Sequence, residues 1–184
     1  MMAAALLACA LNVAPVTLDA IVAVESHGDA LALNVNRLVG RQPRPRSTAE
    51  AVQIASRYIA LGFSVDLGLM QVNNRNLAGL GLTLDQVLDP CTNVKAGGVI
   101  LTSGYVEAVQ RLGEGQTALQ AALSKYNTGD FRRGFANGYV AKYYGPGGVP
   151  ALAGGVQQAA AHLPNRYEAA TQIYVREAMN VTVQ

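Results

Sequence analysis

The sequence predicts a mainly α-helical protein with one principal domain. Its 184 residues are 51% hydrophobic and 14% charged, which supplies enough apolar material for a buried core. Several segments begin with helix-capping residues and continue with apolar side chains spaced three and four apart. Signals for strands are scarce by comparison. We expect residues 1–144 to form the domain and residues 145–184 to form a Gly/Ala-rich linker and a C-terminal helix.

The overall charge and hydropathy exclude several classes of protein. A formal net charge of +2 is too small to indicate nucleic-acid binding, although a mild basic excess suits an anionic polymer such as the cell wall. No stretch reaches the roughly 20 apolar residues that span a bilayer, so we expect a soluble chain without an integral membrane span. The apolar start, residues 1–15, is either the remnant of a secretory signal or the first helix of the domain.

The first clear helix carries an acidic residue in its last turn. Thr17 is the expected N-cap, and Gly28 in "IVAVESHGD" is the expected stop. The helical spacing places four side chains on one inward face: Leu18, Ile21, Val22 and Glu25. Burial and the negative end of the helix dipole both disfavour an ionised carboxylate. We therefore expect a raised pKa for Glu25.

An exposed loop and a second helix follow. The stretch "NRLVGRQPRPRS" contains two prolines and four arginines and cannot hold regular structure. The segment "STAEAVQIASRYIALG" opens with a capping box from Ser47 to Glu50 and ends at Gly62. Its apolar stripe runs through Val52, Ala55 and Ile59.

Four further helices are predicted in the second half of the domain. Thr83 caps a short one that reaches Leu88, and "DPCTN" starts a longer one that runs to about Leu112. The other two cover about residues 117–126 and 138–144. In the longest of them, Val94, Leu101, Ala108 and Val109 should face inward. Gly97, Gly98 and Gly104 weaken that helix unless they permit close packing of the backbone, which is the interpretation that we prefer.

Two other stretches present polar groups beside apolar ones. In "FSVDLGLMQVN", alternating apolar residues predict an extended segment, and Gly68, Gln71 and Asn73 could line a sugar-binding wall or simply end an apolar strand. In "LSKYNTGD", Tyr126 and Asn127 are either a core tyrosine with a capping asparagine or part of a cleft beside Glu25. Spacing alone does not decide either case.

Cys9 and Cys91 are the only cysteines. They lack the spacing of a metal site, so no zinc is expected. A disulfide closing a long loop is the preferred interpretation, with two buried thiols or lipid attachment at Cys9 as alternatives.

Four motifs together resemble a known family. "TLDAIVAVES", "VDLGLMQVNNRNLAGLGLT", "DPCTNVKAGGVIL" and "ALSKYNTGD" followed by "GFANGYV" are similar, in that order, to the lytic transglycosylases of type IV secretion and conjugation systems. The resemblance covers roughly residues 9–142. It implies a lysozyme-like domain that acts on peptidoglycan.

The resemblance also implies roles for individual residues. Glu25 is the sole catalytic acid and base, and the two cysteines match those of the family. The residues expected to bind substrate are Ser26, Ser64, Gly68, Leu69, Met70, Gln71, Asn73, Tyr126 and Asn127. His27 departs from the family by replacing a common glycine, and is expected to be a solvated turn residue. Val65 and Asp66 stand where a Gly-Ala pair is frequent in related soluble transglycosylases.

The expected reaction cleaves the MurNAc–GlcNAc bond and leaves 1,6-anhydromuramic ends, with no metal or cofactor. Because Glu50 is assigned to a capping box, Asp66 is the remaining candidate for a second carboxylate. Two alternatives follow: a hydrolytic muramidase that uses Asp66, and a non-catalytic wall-binding assembly module. The expected location is the periplasm. The expected partners are glycan strands and secretion-channel subunits, with no nucleic acid.

Overall fold

The computed structural model describes residues 4–144, which form two compact units. Within these residues, the first unit comprises residues 4–9 and 21–97, and the second comprises residues 10–20 and 98–144. The predicted linker and C-terminal helix at residues 145–184 lie outside the described residues. The predicted domain boundary at residue 144 stays a prediction.

The predicted mainly α-helical class is confirmed. The helices are α1 (Ala4–Leu7), α2 (Pro15–Glu25), α3 (Thr48–Ala60), α4 (Leu77–Leu80), α5 (Leu84–Val87), α6 (Pro90–Leu112), α7 (Gln116–Thr128), α8 (Arg133–Ala136) and α9 (Ala141–Tyr144). The strands are β1 (Leu33–Val35), β2 (Val65–Leu67) and β3 (Val72–Asn73), and a 3₁₀ turn covers Asn74–Asn76. Among residues 4–144, every helix is too short or too polar to cross a bilayer.

The beginning of α2 differs from the prediction. The helix starts at Pro15, and Thr17 lies inside its first turn, 3% exposed. Thr17 is therefore not the N-cap. Proline is favoured at the first helical position because that residue needs no N–H partner and has a helical φ, a signal that outweighs the capping preference of threonine.

The capping box predicted at the start of α3 is only half formed. The Ser47 hydroxyl oxygen accepts from the Glu50 backbone N–H at 3.2 Å, as expected. The Glu50 carboxylate, however, accepts from the backbone N–H of Arg46 at 2.8 Å instead of returning to Ser47. A reciprocal box forms before α5, between Thr83 and Gln86.

The first unit contains a small antiparallel sheet in the order β1-β2-β3. Its register pairs Leu33 with Leu67 and Val35 with Val65, all four of which are buried. Helix α3 packs against β1 and β2. The predicted alternation at residues 63–73 holds as far as Leu67, after which the chain turns before β3.

The arginine-rich loop after β1 has neither helix nor strand, as predicted. Gln42 in this loop donates from its side-chain amide to the Val35 carbonyl at 3.1 Å and accepts from the Val35 N–H at 2.8 Å. The glutamine therefore takes the place of a neighbouring strand and covers a sheet edge that would otherwise present unpaired backbone groups.

In the second unit, α7 packs against α8. A Cβ at Gly134 would lie 2.5 Å from the Ser124 Cα, so only glycine permits this approach. The Gly134 N–H donates to the Ser124 hydroxyl oxygen at 2.8 Å. The helix predicted at residues 138–144 is shorter than expected and covers only α9, because Gly138 adopts a left-handed φ of 79°.

The predicted disulfide between Cys9 and Cys91 is confirmed, with a Cα–Cα distance of 5.4 Å across 82 positions of sequence. The alternatives of free thiols and lipid attachment are therefore wrong. The preferred interpretation of the glycines in α6 is also supported. A Cβ at Gly97 would lie 2.6 Å from the Met70 Cβ, and a Cβ at Gly98 would lie 3.0 Å from the Ala10 Cβ.

Candidate active site

Glu25 is the last residue of α2. The predicted inward face is confirmed for Leu18, Ile21 and Val22, whose exposed fractions are 3% or less. Glu25 itself is half-buried. The carboxylate therefore lies where the buried face of the helix meets the surface, with the negative end of the helix dipole beside it.

The chain leaves the helix sharply after Glu25. The hydroxyl of Ser26, 7% exposed, donates to the Val22 carbonyl at 3.2 Å and accepts from the Gly28 N–H at 3.2 Å. His27 and Gly28 follow with left-handed φ values of 55° and 84°. This is a common way to end a helix. Ser26 thus fixes the helix end that carries Glu25, and His27 is an exposed turn residue, as expected.

The Gly-Leu-Met-Gln motif forms the turn between β2 and β3. The backbone N–H of Gly68 donates to the Ala32 carbonyl at 2.8 Å, and the Gln71 side-chain amide donates to the carbonyls of Ala32 and Gly68 at 3.2 and 2.9 Å. The turn is thereby attached to the segment that follows the Glu25 helix. Because both Gln71 bonds within residues 4–144 use its amide nitrogen, its side-chain oxygen remains available as an acceptor, and its predicted role in sugar binding stays a prediction.

Asn93 is a residue that the sequence analysis missed. It is 1% exposed, and its side-chain oxygen accepts from the Met70 N–H at 2.7 Å. Its amide nitrogen donates to the carbonyls of Leu67 and Val87, each at 2.8 Å. A Cβ at Gly68 would lie 2.5 Å from this nitrogen, so the need for glycine there is explained by Asn93. The signal that could have revealed it is its place one helical turn before Gly97, on the inward face of α6, where a polar side chain needs buried partners.

Asp66 accepts three side-chain hydrogen bonds on the polar face of the sheet. Its carboxylate accepts from the amides of Asn34, Asn36 and Asn73 at 3.1, 2.9 and 2.6 Å. The Ser64 hydroxyl oxygen accepts from Asn36 at 3.0 Å and from Asn73 at 3.2 Å. The Asn73 amide, which was predicted to bind sugars, thus donates within the protein. Asn34 and Asn36 were missed, although their alternation with buried Leu33 and Val35 indicates a shared polar face.

The remaining candidates belong to the second unit. Tyr126 and Asn127 lie in the last turn of α7, where Tyr126 is half-buried and Asn127 is exposed. The Asn127 side-chain oxygen accepts from the Asn137 amide at 3.1 Å. The predicted proximity of Tyr126 to Glu25 stays a prediction, as do the substrate-binding roles of Leu69 and Met70, both of which are buried.

A mainly helical fold with a glutamate at a helix end and a tight Gly-Leu-Met-Gln turn fits the class of lytic transglycosylase domains. A family model described as "Transglycosylase SLT domain" matches residues 3–144. The chain belongs to this family. The resemblance indicated by the four motifs is thereby confirmed.

Among curated proteins, the chain is similar to "Protein virB1" of Agrobacterium fabrum, with 44% identity over 134 residues, 73% of this chain and 54% of that protein. It is also similar to "Type IV secretion system protein virB1" of Brucella abortus, with 45% identity over 130 residues, 69% of this chain and 53% of that protein. The chain thus spans about half the length of these relatives. No solved structure shows significant similarity to it.

Proposed function

We propose that this chain is a peptidoglycan lytic transglycosylase that opens the cell wall locally for a type IV secretion or conjugation apparatus. The observation that carries the proposal is the half-buried Glu25 at the end of α2, in a chain of the SLT family. The secretion setting rests on the names of the relatives. It implies action in the periplasm and contact with channel subunits.

The proposed chemistry uses one carboxyl group twice. Protonated Glu25 first donates its proton to the oxygen that links MurNAc to GlcNAc, and the glycosidic bond breaks. The resulting carboxylate then takes the proton of the MurNAc C6 hydroxyl, whose oxygen attacks the anomeric carbon and closes a 1,6-anhydro ring. The first step requires a glutamate that is still protonated near neutral pH, and burial beside a helix C-terminus favours that state.

The hydrogen bonding of Asp66 supports a mechanism with one carboxylate. A hydrolytic muramidase needs a second carboxylate that can attack the sugar or activate water. Both oxygens of Asp66 already accept from asparagine amides, and these bonds stabilise the sheet in its present register. We therefore propose that Asp66 is structural and that the hydroxyl of the substrate replaces water as the attacking group.

The other candidates are proposed to hold the glycan. The turn from Gly68 to Gln71 forms one wall, on which the Gln71 side-chain oxygen accepts from a sugar hydroxyl. Tyr126 and Asn127 are proposed to position the sugar relative to Glu25. Such positioning contributes to the rate by keeping the reacting atoms aligned.

Digestion of purified peptidoglycan followed by mass spectrometry tests the proposal. The unaltered protein should release muropeptides with anhydromuramic ends, which are lighter by one water molecule than reducing ends. Glu25→Gln keeps the side-chain shape but cannot donate the proton, so no anhydro products should form. Glu114→Gln changes an exposed glutamate and serves as the matched control with unchanged products.

Asp66→Asn separates the two glycosidase mechanisms. If Asp66 is structural, the variant is less stable but any products still carry anhydro ends. Reducing ends from the unaltered protein, lost in Asp66→Asn, would instead support the muramidase. Full activity of Glu25→Gln would contradict both mechanisms.

A further inference from the structure

The first unit contains an open pocket of about 550 Å³ that none of the proposed catalytic steps uses. It lies between the end of α3, the loop after β1 and the 3₁₀ turn after β3. Its lining residues are Asn36, Arg37, Leu61, Gly62, Phe63, Ser64 and Arg75. Neither Glu25 nor the Gly-Leu-Met-Gln turn contributes to this lining.

Two cationic side chains without partners line the pocket. Within residues 4–144, the guanidinium groups of Arg37 and Arg75 make no hydrogen bond or ion pair, and no acidic residue is part of the lining. By contrast, Arg46 lies 3.7 Å from the Glu50 carboxylate, and Arg133 donates to the Thr128 carbonyl at 2.6 Å. One carboxylate lies nearby, that of Asp66, which accepts from the lining residue Asn36 at 2.9 Å. The two guanidinium groups outnumber it, so the pocket has a net positive charge, which favours an anionic ligand.

The backbone on both sides of the pocket is held in place. Arg37 adopts a left-handed φ of 65°, a conformation that costs roughly 1 kcal/mol in a residue other than glycine. The neighbouring Asn36 amide donates to Ser64 and to Asp66, which anchors the loop to the sheet. The Arg75 N–H donates to the Asn73 side chain at 3.1 Å. Both arginines thus extend from anchored positions.

The rest of the lining combines a donor with an apolar wall. Because the Ser64 oxygen accepts two amide hydrogen bonds, its own hydrogen can be donated to a ligand. Phe63 packs edge-on against Tyr58, with 5.7 Å between ring centroids, and Leu61 is 65% exposed. Two guanidiniums, a hydroxyl donor and an apolar wall suit a ligand that carries both carboxylates and small apolar groups.

We propose that this pocket binds the free carboxylates of the stem peptides carried by peptidoglycan. The choice of ligand rests on the proposed function, because the sugars of the glycan are neutral whereas the stem peptides contain carboxylates and alanine methyl groups. Arg37 and Arg75 pair with the carboxylates, and Leu61 and Phe63 contact the methyl groups. The enzyme then recognises peptide-bearing strands by a second site in addition to the glycan cleft.

Titration of the full chain with a synthetic stem tetrapeptide, followed by NMR, tests this site without any turnover. We expect saturable shifts of the Asn36 and Ser64 amide signals. A tetrapeptide with all carboxylates amidated should bind about tenfold more weakly, and so should the double variant R37Q/R75Q, because each exposed charge pair contributes up to ~1 kcal/mol. The variant R41Q/R44Q removes two exposed arginines of the same loop that lie outside the lining, and should bind within about twofold of the unaltered protein.

Equal affinity of R37Q/R75Q and the unaltered chain, equal affinity for the amidated peptide, or shifts confined to other residues would each overturn the proposal. If R37Q/R75Q does not fold, the single variant R75Q provides the same comparison with an expected loss of about threefold. Failure of the proposed enzymatic function is detected separately, since it appears as absent anhydro products while peptide binding persists.

Discussion

Replacement of Asn93 by alanine is the sharpest test of how the Gly-Leu-Met-Gln turn is held. The side chain is almost completely buried and makes three hydrogen bonds, to the Met70 N–H and to the carbonyls of Leu67 and Val87. Alanine removes all three and leaves buried backbone groups unpaired. Each hydrogen bond contributes about 1 kcal/mol net. The free energy of unfolding should therefore fall by about 3 kcal/mol, which lowers the Tm by roughly 6–12 °C.

The measurement is urea unfolding followed by far-UV circular dichroism, combined with hydrogen exchange at the Met70 amide. Exchange at that amide should accelerate, because its acceptor is lost. Asn76→Ala is the matched control, since Asn76 is exposed and its side chain makes no capping bond, and it should change stability by less than about 0.5 kcal/mol. A loss below about 1 kcal/mol in Asn93→Ala, with unchanged Met70 exchange, would refute the reasoning.

Three further predictions concern stability. Cys9→Ser combined with Cys91→Ser should cost about 4 kcal/mol, because the bridge closes a loop of 82 positions; thermal unfolding should be insensitive to reductant only in this variant. Gly97→Ala should lower the free energy of unfolding by about 1–3 kcal/mol, because the added Cβ overlaps Met70. Gly79→Ala, in α4 with open space around it, should instead stabilise the protein by up to about 1 kcal/mol. Urea unfolding measures both changes. The backbone N–H of Thr92 holds the pKa of Asp89 below its usual 3.8, with the Thr92 side chain as a smaller cause. This lowered pKa contributes stability above about pH 4 that is lost as the pH falls through the folded value. The unaltered protein should therefore be more stable than Asp89→Asn near neutral pH but not in acid. A difference in stability that persists at pH 2 would contradict the assignment of this stability to the ionised Asp89 carboxylate.

The end of α2 and the turn after β2 show how local rules produce the proposed site. Two consecutive left-handed residues end the helix directly after the Glu25-Ser26 pair, and the buried Ser26 hydroxyl closes it. The turn from Gly68 to Gln71 is attached to Ala32, seven positions after Glu25. Each of these contacts joins residues of the first unit.

Several features could be read from the sequence because their causes are local. The cap at Ser47, the stop at Gly28 and the apolar face of α2 depend on neighbours within about one helical turn, and all of these are present in the structure. The errors at Thr17 and Glu50 were also local. Helix α2 begins two positions before Thr17, and the Glu50 carboxylate accepts from the backbone N–H of Arg46 instead of that of Ser47. The expected pKa of Glu25 and the substrate contacts stay predictions.

The sequence by itself determined the helical class and the family, and it predicts Glu25 as the catalytic residue. These follow from periodicity and from ordered motifs, which are properties of short segments. Only the tertiary structure decided that Asp66 is held by three asparagines, that Asn93 supports the Gly-Leu-Met-Gln turn, and that two arginines without a partner among residues 4–144 share a pocket. Asn93 and Met70 are 23 positions apart in the sequence, and Asn34 and Asp66 are 32 positions apart. No local pattern specifies them, because a hydrogen-bond partner at that separation is chosen by how the backbone packs and not by the spacing along the chain.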